Sequence, residues 1–194
     1  MPLIYAVLVA FLMMVSGCAK PPVLSDAGYI RAERQHLYEL GAWEFQGRFS
    51  VRDATDSWSA NIHWRHQENV DRLKMSGPLG QGAVEVVLMG GQIIIDRGEG
   101  DFERSDDPDG LIRSHLGVFV PVESLQYWVL GLPHPGNRFR EIKEGFIQSG
   151  WSVSIPKLMQ ADDQLMPHKL VVANNETKLK LIIDQWELND GYSE

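Results

Sequence analysis

The most restrictive feature of this sequence is how little cysteine it contains. Its 194 residues include a single cysteine, Cys18. No disulfide can form within the chain, so the fold has to be held together by its hydrophobic core. The charge balance is also restrictive, because 26 acidic residues outnumber 18 basic ones and leave a formal net charge of −8. Such an acidic chain is a poor partner for nucleic acid, and its net charge argues against a polybasic grip on anionic lipid.

The sequence also lacks the short motifs of common catalytic and cofactor sites. It contains no HExxH zinc motif, no GxSxG nucleophile turn, no Walker loop and no CxxC pair. His63 and His66 come nearest to a metal-binding pair, but both fall on a predicted strand, where their side chains point to opposite faces. We therefore expect no enzyme activity, no cofactor and no metal site.

The first 18 residues, MPLIYAVLVAFLMMVSGC, form an apolar segment that ends in small residues followed by cysteine. A membrane-spanning helix needs about 20 apolar residues, so this segment is too short to be one and fits a secretory signal instead. Val15–Cys18 resembles the lipobox of bacterial lipoproteins, in which the cysteine is lipidated and becomes the new N-terminus. No Lys or Arg precedes the apolar residues. The alternative is that Cys18 is an incidental residue of an uncleaved leader.

Lipidation of Cys18 would explain both its position after the small residues and the fact that it is the only cysteine in the sequence. Ala19 follows it, whereas in proteobacteria an Asp at that position retains lipoproteins in the inner membrane. The expected location is therefore the periplasmic face of the outer membrane, with the lipid on Cys18 as the anchor. The expected regions are a signal peptide over 1–17, a lipidated tether over 18–25, one folded domain over 26–189 and a tail over 190–194.

The remainder of the chain predicts a mainly β domain. Apolar and polar residues alternate over 43–51, 58–65 and 178–183, which is typical of half-buried strands. Further short strands between turn signals bring the expected number to about ten or eleven. Because no internal repeat and no second zone of composition interrupts them, we predict one antiparallel sheet or barrel in a single domain.

Three short helices are also predicted from capping and stop signals. The first is capped by Ser25 or Asp26 and runs to about Leu40, and the second runs from Asp107 to Gly117. The third follows Pro121 and is stopped by Gly131 and Pro133.

Six tryptophans occur in this one domain. Core packing is a sufficient explanation for most of them. A curved sheet also has a concave face, however, and if that face is not filled it forms a pocket for an apolar ligand. The sequence leaves open whether it is filled.

Leu79 is a bulky apolar residue between Pro78 and Gly80, at the predicted tip of a hairpin. Turn tips are usually polar. Either Leu79 folds back onto the domain, or it is an exposed tip that touches lipid or a partner.

Together these segments resemble the LolB family of outer-membrane lipoprotein receptors, over essentially the whole chain from Cys18 onward. The most specific parts are the turn Gly77-Pro78-Leu79-Gly80 and the run Trp128–Pro133. The other matching segments are Phe49–Val51, Ile62–Trp64, Leu116–Gly117, Val120–Val122, Leu125–Tyr127, Gln148, Gly150–Trp151, Met166–Pro167, Lys178–Ile183 and Trp186.

The resemblance implies a half-open antiparallel barrel with short helices as a lid over a hydrophobic cavity. It implies a receptor that accepts lipoproteins from the soluble periplasmic carrier LolA and places them in the outer membrane without nucleotide. The partners would be that carrier, the acyl chains of client lipoproteins and outer-membrane lipid, and the chain would work as a monomer. Leu79 corresponds to the apolar residue of the family's membrane-contacting loop.

Strand alternation favours eight residues as walls of an acyl-chain cavity, although each could instead be ordinary core. They are Phe49, Trp64, Leu73, Met75, Trp151, Leu181 and Ile183 from strands, with Trp128 from the lid. A one-residue slip in register would reverse the choice for a whole strand.

Two other functional classes remain open at this point. One is a structural outer-membrane lipoprotein that binds a protein partner, with a filled core and no lipid site. The other is an anchored hydrolase, which the absence of any nucleophile–base motif disfavours.

Overall fold

The computed structural model describes residues 23–78, 80, 82–117 and 120–189. Cys18, Leu79, the expected signal peptide and the tail over 190–194 lie outside the described residues.

One antiparallel sheet of twelve strands makes up most of the described structure. Eleven strands follow one another in the order β7-β6-β5-β4-β3-β2-β12-β11-β10-β9-β8, and β1 pairs with β10 beside β9. The path ends at β7 and β8, so the sheet curves without closing. The strands are β1 (Leu24–Ser25), β2 (Ala42–Arg52), β3 (Ser57–Gln67), β4 (Val70–Ser76), β5 (Val84–Met89), β6 (Gln92–Asp96), β7 (Phe102–Ser105), β8 (Phe139–Ile142), β9 (Gly145–Gln148), β10 (Trp151–Ala161), β11 (Gln164–Ala173) and β12 (Lys178–Asn189).

The predicted half-open antiparallel sheet is confirmed. The strand beyond the expected number is β1, whose two residues are too short to give an alternating pattern.

Two of the helices begin at the predicted signals, and the first of them also ends where predicted, whereas the second ends at Trp128, three residues before the predicted stop at Gly131. Helix α1 spans Pro108–Leu116, and helix α2 spans Val122–Trp128. Asp107 caps α1 by accepting the Gly110 N–H at 3.0 Å, and Gly117 ends it with a left-handed φ of 69°. Glycine adopts that conformation without the steric cost that a Cβ would bring.

The first helix differs from its prediction. It is a 3₁₀ helix over Arg31–Glu39, rather than a helix that begins at Ser25. Ser25 lies in β1 opposite Leu158, and its hydroxyl accepts the Ala27 N–H at 3.1 Å. The strand pairing with β10 and this local hydrogen bond replace the helical turn that the sequence pattern predicted here.

The buried guanidinium of Arg34 fixes the 3₁₀ helix to the barrel. Its Nε and Nη2 donate to the Leu130 carbonyl at 3.0 and 2.6 Å, and its Nη1 donates to the Leu165 carbonyl at 2.5 Å. Burial lowers the pKa of Arg34 to about 10, against a smaller opposing effect of Tyr29. The side chain nevertheless stays charged at neutral pH, and it links the 3₁₀ helix to the Leu130 and Leu165 carbonyls.

Among the described residues, none of the helices combines the length and the apolar character that crossing a bilayer requires.

Gly47 marks the closest approach of two central strands. It lies opposite Ile183, where a bulge in β12 shifts the register between Ile183 and Gln185. A Cβ at position 47 would lie 2.2 Å from the Ile182 carbonyl oxygen. Only glycine fits here, because the obstructing atom belongs to the backbone.

We expect Gly47→Ala to lower the free energy of unfolding by roughly 1–3 kcal/mol, since the strands must separate to admit the methyl group. The urea midpoint measures the loss. Gly41→Ala is the matched control, because a Cβ there meets no atom within 4 Å. Equal midpoints for the two variants would contradict the close-approach argument.

Candidate functional site

A cavity of about 520 Å³ lies between the concave face of the sheet and the two helices. Its wall is predominantly apolar. It is lined by Phe49, Val51, Trp58, Ser59, Ala60, Ile62, Trp64, Leu73, Met75, Ser76, Gly77, Gly82, Val84, Val86, Ile95, Arg97, Ile112, His115, Val120, Val122, Leu125, Val129, Leu179 and Leu181. Three of these residues, Ser59, Gly82 and His115, are solvent-exposed and mark where the cavity reaches water.

The other half of the concave face is filled by an aromatic plug, which consists of Trp43, Phe45, Trp64, His66 and Trp186. Trp43 stacks on His66 with ring centroids 5.2 Å apart and meets Trp64 at 5.5 Å. Phe45 meets Trp186 at 5.0 Å. These rings occupy the start of β2 and the end of β12, so the empty space lies toward the opposite ends of those strands.

One carboxylate orients two rings of the plug. Asp71 Oδ1 accepts the Trp64 indole N–H at 2.8 Å and lies 2.9 Å from His66 Nδ1. Asp71 itself is buried. Trp64 also lines the cavity, so the Asp71 carboxylate fixes the orientation of one of the cavity's wall residues.

Among the described residues, the lid over the cavity is built from α1, α2 and Val120. Val122, Leu125 and Val129 recur at helical spacing and face the cavity, and α1 contributes Ile112. Asp109 Oδ1 accepts the Val122 N–H at 3.1 Å and so links the two helices. Burial raises the pKa of Asp109 despite that hydrogen bond.

A polar cluster joins the lid to the rim of the sheet. His115 Nε2 on α1 lies 2.8 Å from Glu103 Oε2 on β7. Arg97, which also lines the cavity, reaches Glu103 at 3.4 Å and His115 Nε2 at 3.0 Å. The hydrogen bond with His115, assisted by Arg97, lowers the pKa of Glu103 below its ordinary value.

The structure brings five of the eight expected wall residues together. Phe49, Trp64, Leu73, Met75 and Leu181 all line the cavity. Their role in binding acyl chains stays a prediction.

The other three expected residues lie in packed core, outside the cavity lining. The Trp128 indole N–H points away from the void and donates to Gln148 Oε1 at 2.8 Å. Trp151 packs beside it, with ring centroids 6.3 Å apart. Ile183 lies opposite Gly47 and is fully buried.

Several lining residues were missed by the sequence interpretation. Val51 and Ile62 share the faces of Phe49 and Trp64, so alternation could have found them. Val122, Leu125 and Val129 carry a helical spacing that could equally mean core. Arg97 and His115 give no sequence signal, because only the folded chain brings them to the rim.

The loop that carries Leu79 borders the cavity. Gly77 and Gly82 line it, and the Gly80 N–H donates to the Gly77 carbonyl at 2.8 Å across the turn. Leu79 itself lies outside the described residues, so its contact with membrane stays a prediction.

Comparison with known proteins connects this architecture to a family. The model of the family described as "Outer membrane lipoprotein LolB" matches residues 41–186, which include every strand from β2 to β11 and most of β12. The chain belongs to the LolB family. The named relatives are outer-membrane lipoproteins, and the lipoprotein and outer-membrane character expected from the sequence is confirmed at that level.

Curated LolB relatives cover nearly the full length of the chain. The outer-membrane lipoprotein LolB of Chromohalobacter salexigens is 35% identical over 90% of this chain and 86% of its own. That of Pseudomonas aeruginosa is 28% identical over 91% of this chain and 92% of its own. That of Ectopseudomonas mendocina is 25% identical over 93% of both chains.

Filling the cavity should abolish binding of apolar ligands without unfolding the protein. Ala60 lines the void with a small side chain, so Ala60→Trp places an indole in open space. We expect the affinity for an apolar fluorophore to fall about tenfold or more, a loss of at least ~1.4 kcal/mol. Fluorescence titration measures the affinity, and the thermal midpoint reports folding.

Ala173→Trp is the matched control, because Ala173 pairs with Lys178 on the outer face of the sheet. Equal affinities for the two tryptophan variants would show that the fluorophore binds elsewhere.

Removing the rim contact should loosen the lid selectively. The Glu103 carboxylate has a lowered pKa, so its contribution is complete above the ordinary glutamate pKa and is lost as pH falls through the lowered value. We expect Glu103→Gln to speed amide hydrogen exchange in α1 and to leave β2 unchanged.

Glu144→Gln, in the β8–β9 turn, serves as the charge-matched control. Unchanged exchange in α1 of the Glu103→Gln variant would show that the cluster does not hold the lid.

Proposed function

We propose that this chain is an outer-membrane receptor that accepts lipoproteins from the soluble carrier LolA and inserts them into the outer membrane without nucleotide hydrolysis. A lipid on Cys18 would anchor it at the periplasmic face. The observation that carries the proposal is the apolar cavity under the helical lid, in a chain of the LolB family.

The size and lining of the cavity suit hydrocarbon. Its volume falls within the ~300–1,000 Å³ of ordinary ligand pockets. Each CH₂ group that enters gains about 0.8 kcal/mol by leaving water. The polar side chains of the lining, Ser59, Ser76, Arg97 and His115, stand at the rim, so the wall would recognise apolar area rather than the identity of a client.

Transfer through such a site would run downhill in free energy. A client moves to the protein whose cavity holds its acyl chains more strongly, and from there to the bilayer, by differential affinity alone. Exposure of acyl chains to water is unfavourable, so the mouths of carrier and receptor would have to meet during the hand-over. The rim cluster of Arg97, Glu103 and His115 lies where the lid would have to open.

The alternative of a structural lipoprotein requires a filled interior. The cavity under the lid supports the receptor instead, because space bounded by Val51, Val86 and Leu181 is costly to leave empty unless something enters it.

The decisive experiment for this proposal is transfer itself. The carrier is loaded with a tagged, acylated lipoprotein and mixed with a form of this protein in which Cys18→Ser removes the lipid. We expect pull-down to find the client on this protein without added nucleotide. If the client stays on the carrier while this protein is folded, the structural alternative takes first place.

Leu79→Glu tests the membrane-contacting loop separately. A carboxylate at the tip would be repelled by the apolar interior of the bilayer, so we expect acceptance of the client to persist and delivery to vesicles to fall severalfold. Met89→Glu is the control, because Met89 is an exposed apolar residue in the neighbouring β5–β6 hairpin. Normal delivery by the Leu79→Glu variant would remove this role from Leu79.

A further inference from the structure

The outer face of the sheet carries a concentration of positive charge that the net charge of −8 conceals. Strands β2 and β12 turn Val51 and Leu179 toward the cavity, so their alternating neighbours face outward. These neighbours and those on the next two strands form the outer basic patch, which is defined by Arg48, Arg52, Lys157, Lys169, Lys178 and Lys180.

Cations lie directly opposite one another within this patch. Arg52 pairs with Lys178 across β2 and β12, and Lys157 pairs with Lys169 across β10 and β11. Like charges at opposed positions of a sheet destabilise it. Such an arrangement gains nothing for the isolated fold, and it points to an external anion.

Another part of the same sheet shows how a like-charge pair is ordinarily balanced. Arg65 lies opposite Arg72, but Arg65 bonds Glu44 at 2.5 Å and Arg72 approaches Glu85 at 3.8 Å. The Glu44 pKa is lowered as well, because its bonds with Arg65 and His63 outweigh the opposing effect of burial.

In the outer basic patch only Arg48 has an acidic partner among the described residues, Asp184 at 3.1 Å. The remaining acids nearby stand in the turns at its edge. Asp53 and Asp56 occupy the β2–β3 turn, where Asp53 accepts the N–H groups of Thr55 and Asp56, and Glu176 occupies the β11–β12 turn. The following outward neighbours on the strands themselves are uncharged: Ser50, Ser57, Asn61, Ser152, Ser154, Val171, Ala173 and Ile182.

We propose that the outer basic patch docks this protein flat on the phosphate headgroups of an anionic bilayer. The proposal rests on the proposed function, in which the chain works at a membrane surface. Each cation close to an anionic bilayer strengthens binding about fivefold.

The position of the patch favours a bilayer over an acidic protein. On one side, Ser25 of β1 pairs with Leu158, next to Lys157, and this is where the tether enters the fold. Val23 is five positions after Cys18, so a lipid on Cys18 would lie within roughly 17 Å of this edge. On the other side, Pro78 of the proposed membrane-contacting loop shares a groove with Arg48 and Lys180. A bilayer that touches both the tether and the loop would cover the patch between them.

The test compares two triple variants that lose the same charge. The patch variant removes three positive charges from the centre of the outer basic patch: Lys169→Gln, Lys178→Gln and Lys180→Gln. The edge variant removes three exposed cations from the edge strand β8 and its flanking turns: Arg138→Gln, Arg140→Gln and Lys143→Gln. Both are made in the chain from residue 18 onward with Cys18→Ser, which contains every residue that the structure describes.

Co-sedimentation with vesicles of phosphatidylcholine, alone or mixed with phosphatidylglycerol, measures the docking. We expect binding only to the mixed vesicles, with weakening by salt. The patch variant should bind about a hundredfold more weakly, and the edge variant should stay within about fivefold of the parent. Relief of the cross-strand repulsion should leave the thermal midpoint of the patch variant equal or higher.

Equal losses in both variants, or equal binding to both kinds of vesicle, would overturn the proposal. It would also be overturned if the patch variant kept its vesicle binding and failed to receive a client from the carrier, since the patch would then dock an acidic protein. Acceptance of a client in the absence of vesicles is a separate readout. Its failure in the parent chain would refute the receptor function and leave the vesicle result standing.

Discussion

The hydrogen bonds of Asp71 with Trp64 and His66 lie at the boundary between the filled and the hollow part of this open sheet. They hold two rings of the aromatic plug, and the plug fills the half of the concave face next to the 3₁₀ helix. Beyond Trp64 the wall changes to smaller residues such as Val86, Ala60 and Leu179, and the space between them and the lid stays open. Every buried side-chain nitrogen or oxygen among the described residues has a hydrogen-bond partner, so unpaired polar groups add no cost to that of the void.

The division of the interior also separates the protein's stable and adaptable parts. Arg34 ties the 3₁₀ helix to buried carbonyls at the filled end, whereas α1 is tied to the rim by the exposed contacts of His115 and Glu103. Exposed charge contacts are weaker than buried ones because water and salt screen them. We therefore expect α1 to move over the cavity more readily than α2, whose Trp128 is held in packed core by Gln148. Such a division would suit the proposed admission and release of a large apolar ligand.

The sequence predicted the sheet well because alternation reports directly which residues share a face. It placed Phe49, Leu73 and Leu181 on the concave side, where they line the cavity. A two-residue period does not report how far along a strand a void extends, so it could not separate Ile183, at the bulge beside Gly47, from Leu181. Trp128 shows the corresponding limit for a helix, because its direction depends on Gln148, twenty positions further along the chain.

Charge was the least predictable feature. A net value averages over the whole surface, and here it conceals Lys178 and Lys180 on one face of β12. Their alternation with Leu179 and Leu181 was visible in the sequence, but the cations of β2, β10 and β11 join them only through the register of the sheet. Both this patch and the rim cluster of Arg97, Glu103 and His115 are formed by residues that are distant in sequence and meet only in the folded chain.

The proposed function depends on the entry of hydrocarbon into the cavity between the sheet and the lid. The most direct measurement is photo-crosslinking with a client lipoprotein whose acyl chain carries a diazirine, followed by peptide mapping of the labelled sites. We expect label to concentrate on lining residues such as Met75, Val86 and Leu125 and to spare the aromatic plug at Trp43 and Phe45. Label spread over the outer surface, or absent from the cavity in a folded protein that has received the client, would contradict the proposed function.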